Sequence, residues 1–408
     1  MPRHSRGQLP PRTVLVAHPG ADVYGSDRML VTAVSGLVDA GLRVIVALPD
    51  DGPLVPMLET AGADVRRCPT PVLRKSALSA RGLVGLAART LSALPAMVRL
   101  VRSEGVDVVY VNTVTIPAWL FVARALGRRV LAHVHEAEAD AGLLHRALSL
   151  PLLAAHTIVA NSRYTRDTHT AAVPAVGGRV IVVTNGVAQP ETVRPTREHL
   201  DPPVRLLYVG RLSPRKGVDV AVAALRRLRE QGMDARLRLV GNVFPGYEWF
   251  EAQLRADGAD LLACGALEFA GYQANVSAAL ADCDIALVPS VEPEGFGNTA
   301  VEAVLAGRPV VVSDIGGLPE AVAGVGSARI VPPGDAVELA RAIALTVVEW
   351  ERARQAAAHA VGEVGERQSV RRYQLGVVSA VLGGPSGGDE VVGGNAVAGA
   401  AREGRMVG

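Results

Sequence analysis

Short runs of β-branched and other apolar residues alternate along the chain with longer stretches whose apolar positions recur every three or four residues. The short runs are Thr13–Ala17, Arg43–Leu48, Val106–Val111, Arg129–His133, Thr157–Ala160 and Val180–Val183. A second set follows at Arg205–Val209, Arg236–Val240, Leu267–Ala270, Ile285–Val288, Val310–Ser313 and Ala328–Val331. Between them, Met29–Ala40, Val218–Gln231 and Ala336–Glu349 carry helical spacing. Strands that are apolar throughout and alternate with helices predict parallel sheets covered on both faces. Twelve such strands exceed one doubly wound unit, so the predicted fold class is α/β with two doubly wound, Rossmann-like domains. The pattern lapses in the Pro- and charge-rich stretch Val187–Pro203, which sets a first domain at 13–190, a linker at 191–203 and a second domain at 204–345. Helical spacing continues over 346–382, residues 1–12 are expected to be flexible, and the Gly-rich, unpatterned stretch 383–408 reads as disordered.

Composition narrows the classes. A chain of 408 residues, 49% hydrophobic and 20% charged, can fill two large cores. Its net charge of +2 excludes the electrostatics of a nucleic-acid binder. The positive charge is almost all arginine; the lysines are Lys75 and Lys216. Cys68, Cys264 and Cys283 form no close pair, which fits a reducing, cytoplasmic compartment and gives no metal spacing. The N-terminal stretch lacks the apolar core of a signal peptide. The most apolar helical stretch, 81–102, is studded with arginine and reads either as an amphipathic helix packed on a sheet or as an interfacial helix at the inner face of a membrane.

Ligands of parallel sheets lie at the carboxyl ends of the strands, so the polar residues there are the candidates. After the first strand comes a loop with Gly20 and Gly25, suited to a close backbone approach or to an anion at the following helix. It matches neither a dinucleotide fingerprint nor a P-loop. The strand 129–133 runs into His133-Val134-His135-Glu136; alternation puts both histidines on one face, which reads as a single polarising or hydrogen-bonding histidine near a substrate, or as a helix cap or satisfied buried histidine, rather than as a metal site. Asn112, also at a strand end, is a candidate acceptor contact, and Gly271 and Tyr272 are candidates to border a base pocket. In the second half, Arg211, Arg215 and Lys216 cluster before a helix, where the helix dipole disfavours cations unless an anion joins them; a diphosphate would. Further on, Glu294-Gly295-Phe296-Gly297 occupies a strand-to-helix turn, with Glu302 eight residues after Glu294. Asn161-Ser162 reads as a helix cap, and Pro319-Glu320 as the first turn of a helix with its acid at the positive end.

The segments Gly210-Arg211-Leu212-Ser213-Pro214-Arg215-Lys216-Gly217 and Glu294-Gly295-Phe296-Gly297-Asn298-Thr299-Ala300-Val301-Glu302 resemble the paired signatures of glycosyltransferase family 4, the second being its E-x7-E element. Ser313–Glu320 and Val331–Asp335 fit the same pattern, and the resemblance spans most of 13–382. It implies the GT-B fold, two domains facing each other across a cleft, with the acceptor on the first, the donor on the second and the last helices crossing back to the first. It implies a retaining transferase that uses a nucleoside diphosphate sugar and a hydroxyl acceptor, with no metal or other cofactor. Arg211 and Lys216 would then grip the donor diphosphate, Glu302 the ribose hydroxyls and Glu294 the donor sugar. The N–H groups of Phe296, Gly297 and Asn298 would meet sugar or phosphate, and His135 would lie near donor and acceptor. The N-terminal loop departs from the family's adjacent glycines: Tyr24-Gly25-Ser26 stands there, and Gly25 alone keeps the donor-side role. A nucleotide-sugar epimerase of the same fold, which needs no acceptor, and a non-catalytic partner of a transferase are the rival readings.

Overall fold

The computed structural model describes residues 12–23, 25–73, 79–136, 142–244 and 246–384; the N-terminal stretch before residue 12, Tyr24, Lys75 and the Gly-rich tail from 385 lie outside them. Seven strands build the first sheet: β1 (Thr13–Ala17), β2 (Arg43–Leu48), β3 (Asp64–Arg67), β4 (Val108–Val111), β5 (Arg129–Val134), β6 (Thr157–Ala160) and β7 (Val180–Val182). Their spatial order is β3-β2-β1-β4-β5-β6-β7, and each pair is parallel. Six more build the second: β8 (Val204–Val209), β9 (Ala235–Val240), β10 (Leu267–Gly271), β11 (Ile285–Val288), β12 (Val310–Ser313) and β13 (Ala328–Val331). Their order is β10-β9-β8-β11-β12-β13, again parallel throughout. Two doubly wound sheets with helices on both faces make this the GT-B fold.

The central strands are buried from end to end, as in β1, β4 and β11, because helices cover both faces and leave no side wet. The strand that apolar patterning misses is β3. It lies at the sheet edge with half-buried positions, and Asp64 and Arg66 join Arg43 and Glu104 in a surface ion network, so charge takes the place of a hydrophobic run.

In each sheet the strand order reverses once, between β1 and β4 and between β8 and β11. Crevices open at such reversals, at the carboxyl ends of the strands. The loops after β1 and β4 carry His18 and Asn112; those after β8 and β11 carry Arg211–Gly217 and Ser290–Gly297.

Two connections join the halves. The stretch expected as a linker is tied to the second sheet: buried Asp284 pairs with Arg197 (2.5 Å) and Arg205 (3.0 Å), and the Trp350 indole donates to the Arg197 carbonyl. The C-terminal helices divide their attachment. Helix Ala336–Val348 runs past residue 345 and, with helix Trp350–Arg367, stays on the second domain. Helix Val370–Leu382 lies on the first, against helix Gly25–Asp39. Gly36 allows that contact, since a Cβ there would stand 2.7 Å from Gln374 Cβ. Tyr373 is buried and donates to the Met29 carbonyl at 3.1 Å.

Candidate active site

The loop after β8 and the loop after β11 are built as one unit. The Arg215 carbonyl accepts from the N–H groups of Val291 (2.9 Å) and Glu292 (3.2 Å). Gly217 sits in the left-handed region at φ 64°, and a Cβ there would fall 1.9 Å from the Pro289 carbonyl oxygen. Only glycine lets the two loops close on one another here. The side chains then divide their tasks. Arg215 is turned to the loop itself, donating to the Pro293 carbonyl and pairing with exposed Glu292 at 3.5 Å. Lys216 pairs with Glu294 at 2.8 Å, and the Ser290 hydroxyl donates to the same carboxylate oxygen. Arg211 is exposed, with its guanidinium carbon 4.6 Å from the centre of the Phe244 ring.

The two glutamates of the E-x7-E element differ in their surroundings. Burial pushes the Glu294 carboxyl up, but Lys216, Ser290 and Arg215 outweigh it and hold it below the ordinary carboxylate range. Glu302 lies in helix Asn298–Leu305 with no hydrogen bond or ion pair to its carboxylate among the described residues. Burial raises it to about 7, against the pull of Arg28 reaching over from the first domain. Glu294 is thus a fixed anion, while Glu302 is a carboxyl poised near neutrality and waiting for a donor group.

Helix Asn298–Leu305 begins at Gly297, whose φ of 111° reverses the chain, with Phe296 buried beneath it. The backbone N–H groups of Phe296, Gly297 and Asn298 donate to no described protein group. They lie at a helix start, where an anion or hydroxyl oxygen is favoured. The Asn298 side chain is otherwise engaged: its Oδ1 accepts from Asn185 Nδ2 across the domain boundary at 2.8 Å. At Gly25, which opens helix Gly25–Asp39, a Cβ would meet no atom of the described residues beyond its own chain neighbours and helix backbone within 4 Å. Packing therefore does not demand a glycine at Gly25, and open space lies beside it.

From the first domain, His135 follows β5 with its ring 4.0 Å from that of His133, the shared face that alternation predicts. His133 is fully buried and bonded to the Tyr110 hydroxyl at 2.6 Å, which leaves His135 as the histidine at the loop. A Cβ on Gly295 would lie 2.2 Å from the His135 carbonyl oxygen, so the glutamate loop rests on the backbone of this histidine. The imidazole is held below its ordinary pKa, at about 3, by burial first and then by the neighbouring His18. Its Nε2 bonds Asn112 Oδ1 at 3.0 Å; Asn112 Nδ2 bonds His18 Nδ1 at 3.1 Å; and His18 Nε2 bonds Asp27 Oδ1 at 2.9 Å.

One sequence reading needs correction and another needs extension. Asn112 is 1% exposed and both ends of its amide are taken by histidines, so it cannot reach an acceptor. Glu320 does stand in the first turn of its own helix, Leu318–Ala321, yet its carboxylate accepts from the N–H groups of Arg163 (2.8 Å) and Tyr164 (3.4 Å). It caps a helix of the other domain. Ser162 caps that same helix, Arg163–Ala172, and also donates to the Gly295 carbonyl, which Thr165 reaches at 3.2 Å. Arg28 donates to the Ala274 carbonyl at 2.9 Å. Ser162 and Thr165 hold the glutamate loop from the first domain, Glu320 and Arg28 tie the domains beside it, and sequence reasoning passed over these contacts. The only local signal was the capping residue itself, which announces a helix start and not a second partner. Tyr272 is exposed, at the rim after β10. Among the described residues no group of three His, Cys, Asp or Glu side chains converges as a metal site.

Residues 23–191 match the family model for Glycosyltransferase Family 4, and residues 203–347 match that for Glycosyl transferases group 1. The chain belongs to this family of glycosyltransferases. Among similar proteins, the amylovoran biosynthesis glycosyltransferase AmsK of Erwinia amylovora is 37% identical over 163 residues, 38% of this chain and 38% of that protein. The glycogen synthase of Mycobacterium tuberculosis is 36% identical over 166 residues, 40% of this chain and 39% of that protein. The chain thus spans about two fifths of the length of these curated relatives. Among solved structures, Anabaena HepE in complex with UDP-glucose superposes with a TM-score of 0.74 at 20% identity, over 91% of this chain and 99% of that one. That likeness is one of fold.

Proposed function

We propose that this glycosyltransferase moves a sugar from a nucleoside diphosphate donor to an acceptor hydroxyl, with retention at the anomeric carbon. The observation that carries the reading is the cleft constellation. A lysine–glutamate pair (Lys216, Glu294), an unpartnered carboxyl (Glu302), three unused N–H groups (Phe296, Gly297, Asn298) and an exposed arginine (Arg211) stand at the strand reversal of one domain. His135 faces them from the other.

The chemistry follows from the charges. The bond between the anomeric carbon and the diphosphate oxygen breaks, the acceptor oxygen bonds the same carbon from the same face, and its proton passes to the departing phosphate oxygen. Negative charge grows on the diphosphate. Arg211, Lys216 and the N–H groups of the helix start are oriented donors for it, and preorganised donors of this kind lower the barrier because nothing must reorient as charge develops. Glu294, kept ionised by Lys216, accepts from the sugar hydroxyls, and Glu302 accepts from the ribose. This division differs from that of a glycosidase, whose paired carboxyls work as acid and base. HepE crystallised with UDP-glucose supports a nucleotide sugar as the donor class.

The test is turnover of a nucleoside diphosphate sugar by Glu294→Ala and Lys216→Ala proteins that remain folded. Losses of orders of magnitude are expected, and near-normal turnover in both would remove the assigned roles. Anomeric proton couplings of the product test retention. Conversion of donor alone into an isomeric sugar nucleotide would favour the epimerase.

A contact with a membrane surface belongs to the same reading. Helix Ala80–Ser103 is long and apolar enough to cross a membrane by length and composition alone, and little of its apolar stretch is buried in the protein. Leu83, Val84 and Leu91 stand exposed beside Arg81 and Arg89. Apolar side chains flanked by arginine suit an anionic interface, which would bring a lipid-linked acceptor to the cleft.

A further inference from the structure

Four polar side chains run in line behind the cleft, three of them at the carboxyl ends of adjacent strands. Asp27 stands in the first turn of helix Gly25–Asp39, His18 follows β1, Asn112 follows β4, and His135 follows β5. The first three are 7%, 3% and 1% exposed, so no solvent competes for their hydrogen bonds. The bonds between successive members are 2.9, 3.1 and 3.0 Å.

The direction of each bond is set by the end of the line. An ionised carboxylate only accepts, so His18 Nε2 carries a proton toward Asp27. Asn112 turns its amide NH2 to the other ring nitrogen of His18, Nδ1, and since an NH2 only donates, that nitrogen is an acceptor. That orientation turns the amide oxygen to His135, whose Nε2 must in turn donate. Neutral His135 therefore keeps its lone pair on Nδ1, which bonds no described residue. One carboxylate has imposed a polarity on three residues that follow three separate strands.

We propose that Asp27, His18 and Asn112 are positioning residues that lock His135 in one neutral tautomer, proton on Nε2 and lone pair on Nδ1, so that His135 meets the substrate as a hydrogen-bond acceptor for a hydroxyl. This rests on the transferase reading of the cleft for its consequence, though not for the tautomer. An acceptor nitrogen selects a ligand that brings an O–H to that point and penalises a carbonyl or deoxy analogue, because an unpaired buried polar group costs far more than a made bond gains.

Nitrogen NMR of the full chain labelled at its nine histidines reads the tautomer directly, with His135→Gln used to assign the signals. The native protein is expected to show His135 with protonated Nε2 and bare Nδ1 as a single species. Asp27→Ala and Asn112→Leu remove the polarity and should give a mixture of both tautomers, with turnover down roughly tenfold for one misdirected hydrogen bond of about 1.4 kcal/mol. Asn112→Asp is the discriminating variant. An aspartate there still accepts from His135 and makes His18 an imidazolium between two carboxylates, so the His135 tautomer is retained and turnover exceeds that of Asn112→Leu. A purely structural role for Asn112 would not separate these two variants in the tautomer spectrum. Native His135 protonated on Nδ1, or a single unchanged tautomer in both Asp27→Ala and Asn112→Leu, overturns the proposal. The native spectrum decides even if the variants do not fold. If the native protein transfers no sugar but shows the expected tautomer, the function has failed and the relay stands.

Discussion

Glu302 is expected to cost the protein stability, and the cost should follow pH. Its carboxyl is raised from 4.5 to about 7 because burial strips its hydration and the distant Arg28 only partly compensates. Between those two values the folded protein holds a proton that the unfolded chain has released. Folding stability therefore falls as pH rises through that window, and the full cost is present above the folded value. A displacement of 2.5 units (7 less 4.5) at about 1.36 kcal/mol per unit gives about 3 kcal/mol near pH 8, against about 1 kcal/mol near pH 5. Glu302→Gln keeps shape and removes the charge, so it should stabilise the protein by about 2 kcal/mol more at pH 8 than at pH 5. At roughly 2–4 °C per kcal/mol, melting curves at the two pH values resolve that difference easily. Equal melting temperatures for variant and parent at pH 8, or the same gain at both pH values, would refute the account. Hydroxyl donors of a bound ligand would favour the ionised form, so donor affinity should rise with pH over the same window, and that rise should be absent in Glu302→Gln.

Other consequences follow from the same geometry. Lys216→Met leaves Glu294 a mostly buried anion without its partner and should cost about 3 kcal/mol, whereas Lys216→Met with Glu294→Gln should recover most of it; urea titration of the set measures the coupling. Gly217→Ala meets both a positive φ and the Pro289 carbonyl, so a loss of at least about 2 kcal/mol is expected, and an unchanged urea midpoint would contradict the shared-loop packing. Glu320→Ala removes a cap supplied from the other domain; stability should drop by about 1 kcal/mol, and limited proteolysis should show faster cleavage at the domain junction. Replacing Leu83, Val84 and Leu91 together by serine should abolish flotation with anionic liposomes at low salt while leaving the melting temperature within a degree or two, because these side chains are 49%, 71% and 67% exposed.

The two carboxylates show how far a motif carries. Spacing marks Glu294 and Glu302 as a pair, and the E-x7-E resemblance assigns both to a sugar nucleotide. That they lie in opposite electrostatic surroundings, one shifted down and the other up, is a property of what folds over them: Lys216 from the loop after β8, and Arg28 from the other domain. Strands such as β1 and β11 are legible because burial on both faces writes an unbroken apolar run into a few adjacent residues. Edge strand β3 is not, since its partners are charges on distant elements. The contacts that bring the domains together are illegible for a related reason. Ser162 to Gly295, Arg163 to Glu320 and Asn185 to Asn298 each join residues more than a hundred positions apart through single polar atoms. Such bonds leave no periodicity behind, and each donor already has an ordinary local explanation as a cap or a loop residue. They also hold the piece of chain that must be placed most accurately, the glutamate loop. Its carbonyl at Gly295 is gripped from the first domain and its backbone at Glu294 from the second, where the Gly317 N–H donates to it at 2.7 Å. A loop fixed from both sides can respond to what binds on either domain. Loosening the grip of Ser162 and Thr165 on Gly295 would therefore move Glu294 without touching the second domain.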